Sequence, residues 1–579
     1  MKKHTPLIAA FLIFPTIYIF PFLLTLYKIP FSPLPPDFSS DIYMYLNNTL
    51  LHIDADGLAQ NPWYHVPVPT DQLKYLKFGL LNLFSLLNNI VGNLTATLIL
   101  WNWIWAAITF VCAYLLFKEI SIKKNIYLII FGISLLFFFQ VSDIPNYIKG
   151  FLSLNFSPHI LLPLQRTFFP QIATPLLLLY LYFLIKAFES DKNIYWVVLF
   201  IVQFISFVNF PYNTVVMGAT TFFVILSAIF SKKAIPWKHL IIYFTATCLA
   251  DLAFISSGGS IEGTGHNSVV DIDFSRISEI MGGTNIVLLT LCTAAIALPN
   301  DRKFVKFTIA SVGISVLLLQ LSDLIFNPSL QLTHHFAYFV NQIIAVLVFY
   351  ITAVSVKFIS DHEKTYNALL TAGTVLLVGI GIFVTYAQAT AALTHNRENY
   401  IIYTDIERLQ AGENDLIIAP SITVNDAATW LPMIFKSEVL FSRNSEFLLP
   451  NTEAGRNIYW KREAIYLYLQ GIDAKKLHEI LLSNKSKPAL IKRIILVGQR
   501  FDLHTDKRDE MLKQVYNKLS EYLRGFEEDP QILKRFFSKY RKIIVIDRCD
   551  KPLFIRNIPA QKRDSRVIEG ISIRVYETG

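Results

Sequence analysis

The residues best suited to chemistry fall early. Residues 37–77 read DFSSDIYMYLNNTLLHIDADGLAQNPWYHVPVPTDQLKYLK and hold five acids, Asp37, Asp41, Asp54, Asp56 and Asp71. Asp41 precedes Tyr43 and Tyr45 on a stretch, Asp41–Leu51, patterned as a short amphipathic helix. A carboxylate at the edge of an apolar phase can have its pKa raised and act as a general base, or orient an acceptor group. The two tyrosines suit sugar faces or headgroups. An Asp at a helix start equally serves as a cap for free backbone N–H groups. His52, Asp54 and Asp56 form H-x-D-x-D, an alternation that could give two or three ligands to a divalent cation such as Mg or Mn. Asp56-Gly57 is also a good turn.

Later candidates are few. Arg166 lies in NFSPHILLPLQRTFFPQ, residues 155–171, ahead of an apolar run. A guanidinium there could grip a phosphate through two hydrogen bonds, or snorkel as a helix-end anchor. Asp251 falls inside an apolar run, Asp323 at the end of another, and His334 and His335 at the start of a third. Ionisable groups are costly in lipid and usually functional there, although at a helix end charge is cheap. The polar segment 257–283, with Glu262, His266, Asp271 and Asp273, reads either as a mobile lid or as a long flexible loop.

The elements that must position these groups are membrane helices. Hydrophobic residues make up 53% of the 579, and charged residues only 16%, against roughly 25% in soluble domains. Apolar runs near the length of a bilayer span recur at about 6–27, 93–117, 125–141, 167–187, 193–210, 212–230, 239–256, 284–298, 304–322, 336–356 and 366–388. The fold expected is therefore an α-helical multi-pass membrane protein of about eleven spans. Residues 72–91 fit an interfacial helix or the outer half of a long second span. The first run is too long for a cleaved signal and reads as an uncleaved span.

Lys and Arg fix the expected orientation. Lys2 and Lys3 place the N-terminus inside. Alternation then gathers Lys118, Lys123, Lys124, Lys186, Lys192, Lys232, Lys233, Lys238, Arg302, Lys303, Lys306, Lys357 and Lys364 on that side. The opposite side receives the acidic loop 28–75 and the connections 142–166, 257–283 and 323–335. An odd number of spans puts the tail outside.

That tail sets the expected domains: a transmembrane part, 1–392, and a soluble extracytoplasmic part, 393–579. Runs at Leu416–Ala419, Glu438–Phe441, Arg493–Val497 and Lys542–Ile546 read as strands, and Arg456–Tyr468 and Arg508–Arg524 as helices, giving an α/β layer. After residue 395 there are 31 Lys and Arg against 25 Asp and Glu, so most of the net +9 lies here. Anionic lipid or a phosphorylated substrate suits this charge, as does a plainly solvated surface. No nucleic-acid motif accompanies it, and no glycine-rich nucleotide loop is present. Of the cysteines Cys112, Cys248, Cys292 and Cys549, only the last is in the tail, so no disulfide can form within it.

A first span, an outer loop with Asp beside tyrosines (DIYMY), many further spans and an outer tail resemble the GT-C superfamily of integral-membrane glycosyltransferases. RTFFPQIATPLLLLYLYFL is similar to a segment of bacterial GT-C-like proteins. The resemblance implies a polyprenyl-phosphate-linked sugar donor and transfer on the outer face of the bacterial cytoplasmic membrane. It implies Asp41 as catalytic base or acceptor-orienting group, with Arg166 and His334 or His335 steadying the leaving phosphate. Tyr43, Tyr45 and Asp251 complete the expected substrate site. The loop lacks the adjacent Asp-Glu pair of protein O-mannosyltransferases, and the tail lacks the W-W-D signature of oligosaccharyltransferases, so the acceptor (glycan, lipid or protein) is not implied. The alternatives are a transporter or flippase for a lipid-linked solute, and a non-catalytic membrane scaffold.

Overall fold

A computed structural model describes residues 5–28, 52–53, 59–60, 81–121, 124–153, 162–163, 171–190, 192–256, 282–300, 302–321, 332–355, 363–419, 427–441, 453–482, 508–549, 558 and 560–578. Two compact units result, one built on Met1–Pro30 and Phe78–Leu393, the other on Thr394–Gly579.

The first unit is helical. In order come α1 (Thr5–Lys28), α2 (Leu81–Val91), α3 (Leu94–Ile120), α4 (Ile126–Phe138), a 3-10 turn (Val141–Asp143), α5 (Ile144–Ser153) and α6 (Ala173–Glu189). They are followed by α7 (Asn193–Asn209), α8 (Pro211–Phe230), α9 (Trp237–Ser256), α10 (Gly283–Ala297), α11 (Lys303–Leu321), α12 (Leu332–Ser355) and α13 (Glu363–Arg408). Each apolar run picked out in the sequence overlaps one of these helices. Among the described residues, five stretches are long and apolar enough to cross a membrane: Thr5–Leu24, Leu94–Ile120, Tyr212–Phe230, Lys303–Leu321 and Glu363–Arg408. Apolar side chains also remain on the outside, among them Ile241, Ile242, Leu249 and Leu252 of α9 and Leu369, Val375, Leu376 and Phe383 of α13. Helices that are apolar on every face, with their outer faces uncovered by protein, belong in lipid.

Residues 81–91 form a helix of their own. Gly92, at φ +68°, ends α2 in the left-handed region where a side chain would be strained. Asn93 then caps α3, its Oδ1 accepting from the Ala96 N–H at 2.9 Å.

Packing joins α3 to α1 and α6, α8 to α11, and α12 to α4, α10 and α11. Glycines make close approaches possible, Gly381 among them. A Cβ on Gly381 of α13 would lie 2.5 Å from Phe138 of α4, whereas one on Gly379 would meet nothing within 4 Å. Gly381→Ala should therefore cost about 1–3 kcal/mol by overpacking. Gly379→Ala should be neutral or slightly stabilising. Thermal unfolding in detergent checks the pair; equal shifts for both would remove the argument.

One end of the bundle is ionic. Glu119, at the end of α3, pairs with Lys186 of α6 at 2.5 Å and with Arg302 at 3.5 Å, and Arg302 also meets Glu189 at 2.9 Å. Lys233 lies 4.4 Å from the centre of the Phe304 ring, and Asn300 donates to the Tyr350 hydroxyl at 2.7 Å. Burial holds the Lys233 ammonium below its usual pKa. Several of the basic residues that the alternation assigned to one side thus meet in space.

The second unit contains β3 (Asp415–Ile418), α14 (Ala427–Phe435), β4 (Glu438–Val439), α15 (Glu453–Leu469), α16 (Ala474–Leu482), α17 (Arg508–Glu528), α18 (Gln531–Phe537), β5 (Lys542–Arg548), β6 (Gln561–Ile568) and β7 (Ile571–Glu577). Its sheet runs β4-β3-β5-β7-β6, with β3 parallel to β4 and β5, and β7 antiparallel to β5 and β6. The short pair β1 (His52–Ile53) and β2 (Ala59–Gln60), antiparallel, groups with this unit rather than with the bundle. Strands expected near 416, 438 and 542 are present, as are both expected helices; residues 493–497 lie outside the described residues. Four apolar residues in a row, Ile543–Ile546, are fully buried, as a central strand covered on both faces requires.

The hairpin β6–β7 was not expected. β6, QKRDSRVI, lies exposed along the sheet edge and is charged, which guards an edge against further pairing and erases apolar alternation. Its legible signal was the turn: Glu569 and Gly570, at φ 50° and 82°, are the two left-handed residues that a tight hairpin demands.

Candidate functional site

Asp41, Tyr43, Tyr45, Asp54, Asp56, Arg166 and Asp323 lie outside the described residues. His52 is in β1, and His334 and His335 are in the first turn of α12; only their backbone is described. Asp251 is the predicted site residue whose side chain is described. It sits in the last third of α9, half-buried, and its Oδ1 finds no partner among the described residues. Two turns earlier on α9, the Tyr243 hydroxyl meets that of Tyr180 at 3.1 Å, and Tyr180 also bonds Thr221. Hydroxyls thus tie α9 to α6 and α8.

Opposite the ionic end, the bundle collects neutral amides. Gln171, just before α6, donates through Nε2 to Asn102 Oδ1 at 2.9 Å, and Asn102 donates to the Leu98 carbonyl at 2.8 Å. Asn213, at the start of α8, donates to the Ala173 carbonyl and to Ser206 Oγ, each at 3.2 Å. Asn285 at the start of α10 donates to Gln320 at the end of α11 at 2.7 Å. On α12, Asn341 accepts from the Val141 N–H at 3.1 Å, and Gln342 donates to the Pro163 carbonyl at 3.5 Å. The same helices carry Lys186, Glu189, Lys233 and Arg302 at or near their other ends, where Asn125 also donates to Asn367 at 2.7 Å.

These amides are buried and incompletely matched. Gln171 Oε1, Gln203 Oε1, Asn213 Oδ1, Gln320 Nε2 and Gln342 Oε1 have no partner among the described residues. A buried polar atom left without a partner costs about 1–3 kcal/mol. Water, a ligand hydroxyl or a residue outside the described ones would complete their hydrogen bonding. An amide both donates and accepts, as a sugar hydroxyl does. Gln171 lies five residues beyond Arg166, and Gln342 seven beyond His335, so the chain ends that bring the amides also bring the predicted phosphate and imidazole groups close in sequence.

These neutral amides stand out less in the sequence than the ionisable residues do. A search for Asn and Gln inside apolar runs, such as Asn102 in TLILWNWIWAA, would have found them. Beside the amides, burial raises the Asp143 carboxyl above its usual range, partly offset by a 3.0 Å hydrogen bond from Asn146.

In the second unit Arg462, 7% exposed, is enclosed by polar partners and a ring. It pairs with Glu438, donates to the Val439 carbonyl at 2.8 Å and to the Tyr540 hydroxyl at 3.3 Å, and stacks 5.5 Å over Phe536. Its neighbour Lys461 is held below the usual lysine pKa by burial first and then by Lys539, Arg535 and Arg462. Among the described residues no three His, Cys, Asp or Glu come together as a metal would need. His52 is the one member of H-x-D-x-D within them. No protein-family model matches the chain, and no curated protein matches it.

Proposed function

We propose that the chain is a GT-C-like membrane glycosyltransferase that moves a sugar from a polyprenyl-phosphate donor to an acceptor at the outer face of the cytoplasmic membrane. In this reading about eleven spans carry the chain across, the N-terminus lies inside and the tail outside. The amide end is then the outer end, because the ionic end collects the Lys and Arg that favour the cytoplasm. The observation that carries the proposal is the set of buried, half-matched amides at that end. A sugar-bearing lipid entering from the outer leaflet would meet donors and acceptors without a net charge to repel its phosphate.

The chemistry assigned to this chain's residues is simple. Asp41 takes the proton of the acceptor hydroxyl as its oxygen bonds to the anomeric carbon. The bond from that carbon to the phosphate oxygen breaks, and Arg166, with His334 or His335, holds the departing lipid phosphate. Tyr43 and Tyr45 lie against the sugar.

Binding tests this directly. The full chain in nanodiscs should bind a polyprenyl phosphate, read as a rise in thermal stability with ligand concentration. Gln171→Leu should weaken a sugar-bearing donor about tenfold more than the bare polyprenyl phosphate, because the lost partners are those of the hydroxyls. Equal weakening of both, or no binding of either, would remove the amide end from the site.

A second reading has one observation in its favour. Asp251, a half-buried carboxylate in an apolar helix, suits ion-coupled transport of a lipid-linked solute. Counterflow in vesicles, abolished by Asp251→Asn and without covalent product, would favour it over transfer.

A further inference from the structure

Helix α5 follows α4 after five residues and turns an apolar face away from the protein. Ile144, Ile148 and Leu152, spaced by four, form one row and are 36%, 56% and 84% exposed. Tyr147 and Gly150, on the other side of the helix, are buried. Along the exposed side runs an open hollow of about 550 Å³ lined by Ile144, Pro145, Ile148, Lys149, Leu152 and Ser153. Ten residues cannot span a bilayer, so this row is not part of a crossing helix.

The helix is also held in place. The Val141 N–H is bound by Asn341 at 3.1 Å, so the turn leading into α5 is fixed to α12. Buried Tyr147 fastens the first turns of α5. The apolar row therefore lies level with the amide end of the bundle. The surfaces of the neighbouring spans face lipid, and the leaflet edge is the apolar phase available at that height.

We propose that α5 is an interfacial helix that seats its Ile144–Ile148–Leu152 row in the outer leaflet, with Lys149 at the level of the lipid phosphates. An amphipathic helix lying in the plane of a membrane buries its apolar face about 5–10 Å below the headgroup boundary. A lysine on its flank keeps its stem in the apolar layer and its ammonium among phosphates. The seat would fix the height of the amide end relative to the headgroups, and so the depth at which a lipid-linked group is met. The proposal rests on the membrane reading and not on glycosyl transfer.

Spin-label accessibility tests it on the full chain in nanodiscs. Cys248 and Cys549 are exposed, so Cys248→Ser and Cys549→Ser clear the background, while Cys112 and Cys292 are buried. Labels are then placed through Ile148→Cys, Leu152→Cys and, on the opposite exposed side, Asn146→Cys. Labels at 148 and 152 should collide with oxygen and be shielded from a water-soluble nickel chelate, at a depth of about 5–10 Å. The label at 146 should show the reverse. Nickel access at 148 and 152 equal to that at 146 would overturn the proposal. So would shielding from both reagents, which would mean a protein cover.

Discussion

Asp41→Asn is expected to lower sugar transfer by about 10²–10⁴-fold, the usual contribution of a positioned general base. The amide keeps the shape and the hydrogen-bonding reach of the carboxylate but cannot accept the proton of the acceptor hydroxyl. Donor binding should be little changed, since the sugar and phosphate are held by other groups. The loss should therefore fall on turnover and not on the concentration of donor needed for half-saturation. The protein should still fold, because Asn matches Asp in size and shape. The check is transfer by membranes bearing the variant, with thermal unfolding run alongside. Full transfer would remove Asp41 as the base and move the role to Asp54 or Asp56.

Arg462→Ala should have the largest effect on stability. The guanidinium is almost wholly buried, and its loss removes the Arg462 cation from the Glu438 carboxylate, itself mostly buried. Tyr540 donates to the same carboxylate at 2.7 Å, but a neutral hydroxyl does not replace the charge of the guanidinium. Breaking a buried pair from one side costs about 3–5 kcal/mol. Lost stacking on Phe536 adds to this. Because β4, α15 and the turn before β5 meet at this point, the whole second unit should loosen together. Hydrogen exchange of the full chain should show protection falling in β3, β5 and β7 with little change in α3 or α11. Arg462→Met with Glu438→Gln, which removes both charges, should recover much of the loss. An unchanged exchange pattern in Arg462→Ala would mean that the pair is replaced by water at no cost.

How legible this was in the sequence depended on which physical signal each element leaves. The apolar helices were plain, because a lipid environment demands nearly continuous hydrophobicity and leaves no room for disguise. β5 was plain for a similar reason, its four consecutive buried residues being β-branched. β6 was hidden, since an edge strand is protected by the charges that destroy alternation. The separation of α2 from α3 depended on Gly92 adopting a left-handed backbone, which composition does not announce. Among candidate site residues, charged side chains were visible because they are rare in apolar runs. Gln171, Asn213 and Gln342 were missed because a neutral amide barely lowers the hydropathy of a span, and only their shared end of the bundle shows them as a group. Arg462 was one basic residue among many in the tail; its burial follows from packing between α15, α18 and β4, which are far apart in sequence.

The most direct test of the central claim is mass spectrometry of polyprenyl-phosphate-linked sugars and cell-envelope glycans from cells carrying the native chain, the Asp41→Asn variant or neither. Sugar transfer at the amide end predicts that one lipid-linked sugar accumulates and one glycan loses a residue, alike in the variant and in the absence of the chain. Unchanged lipid-linked sugars and unchanged glycans in both would contradict it.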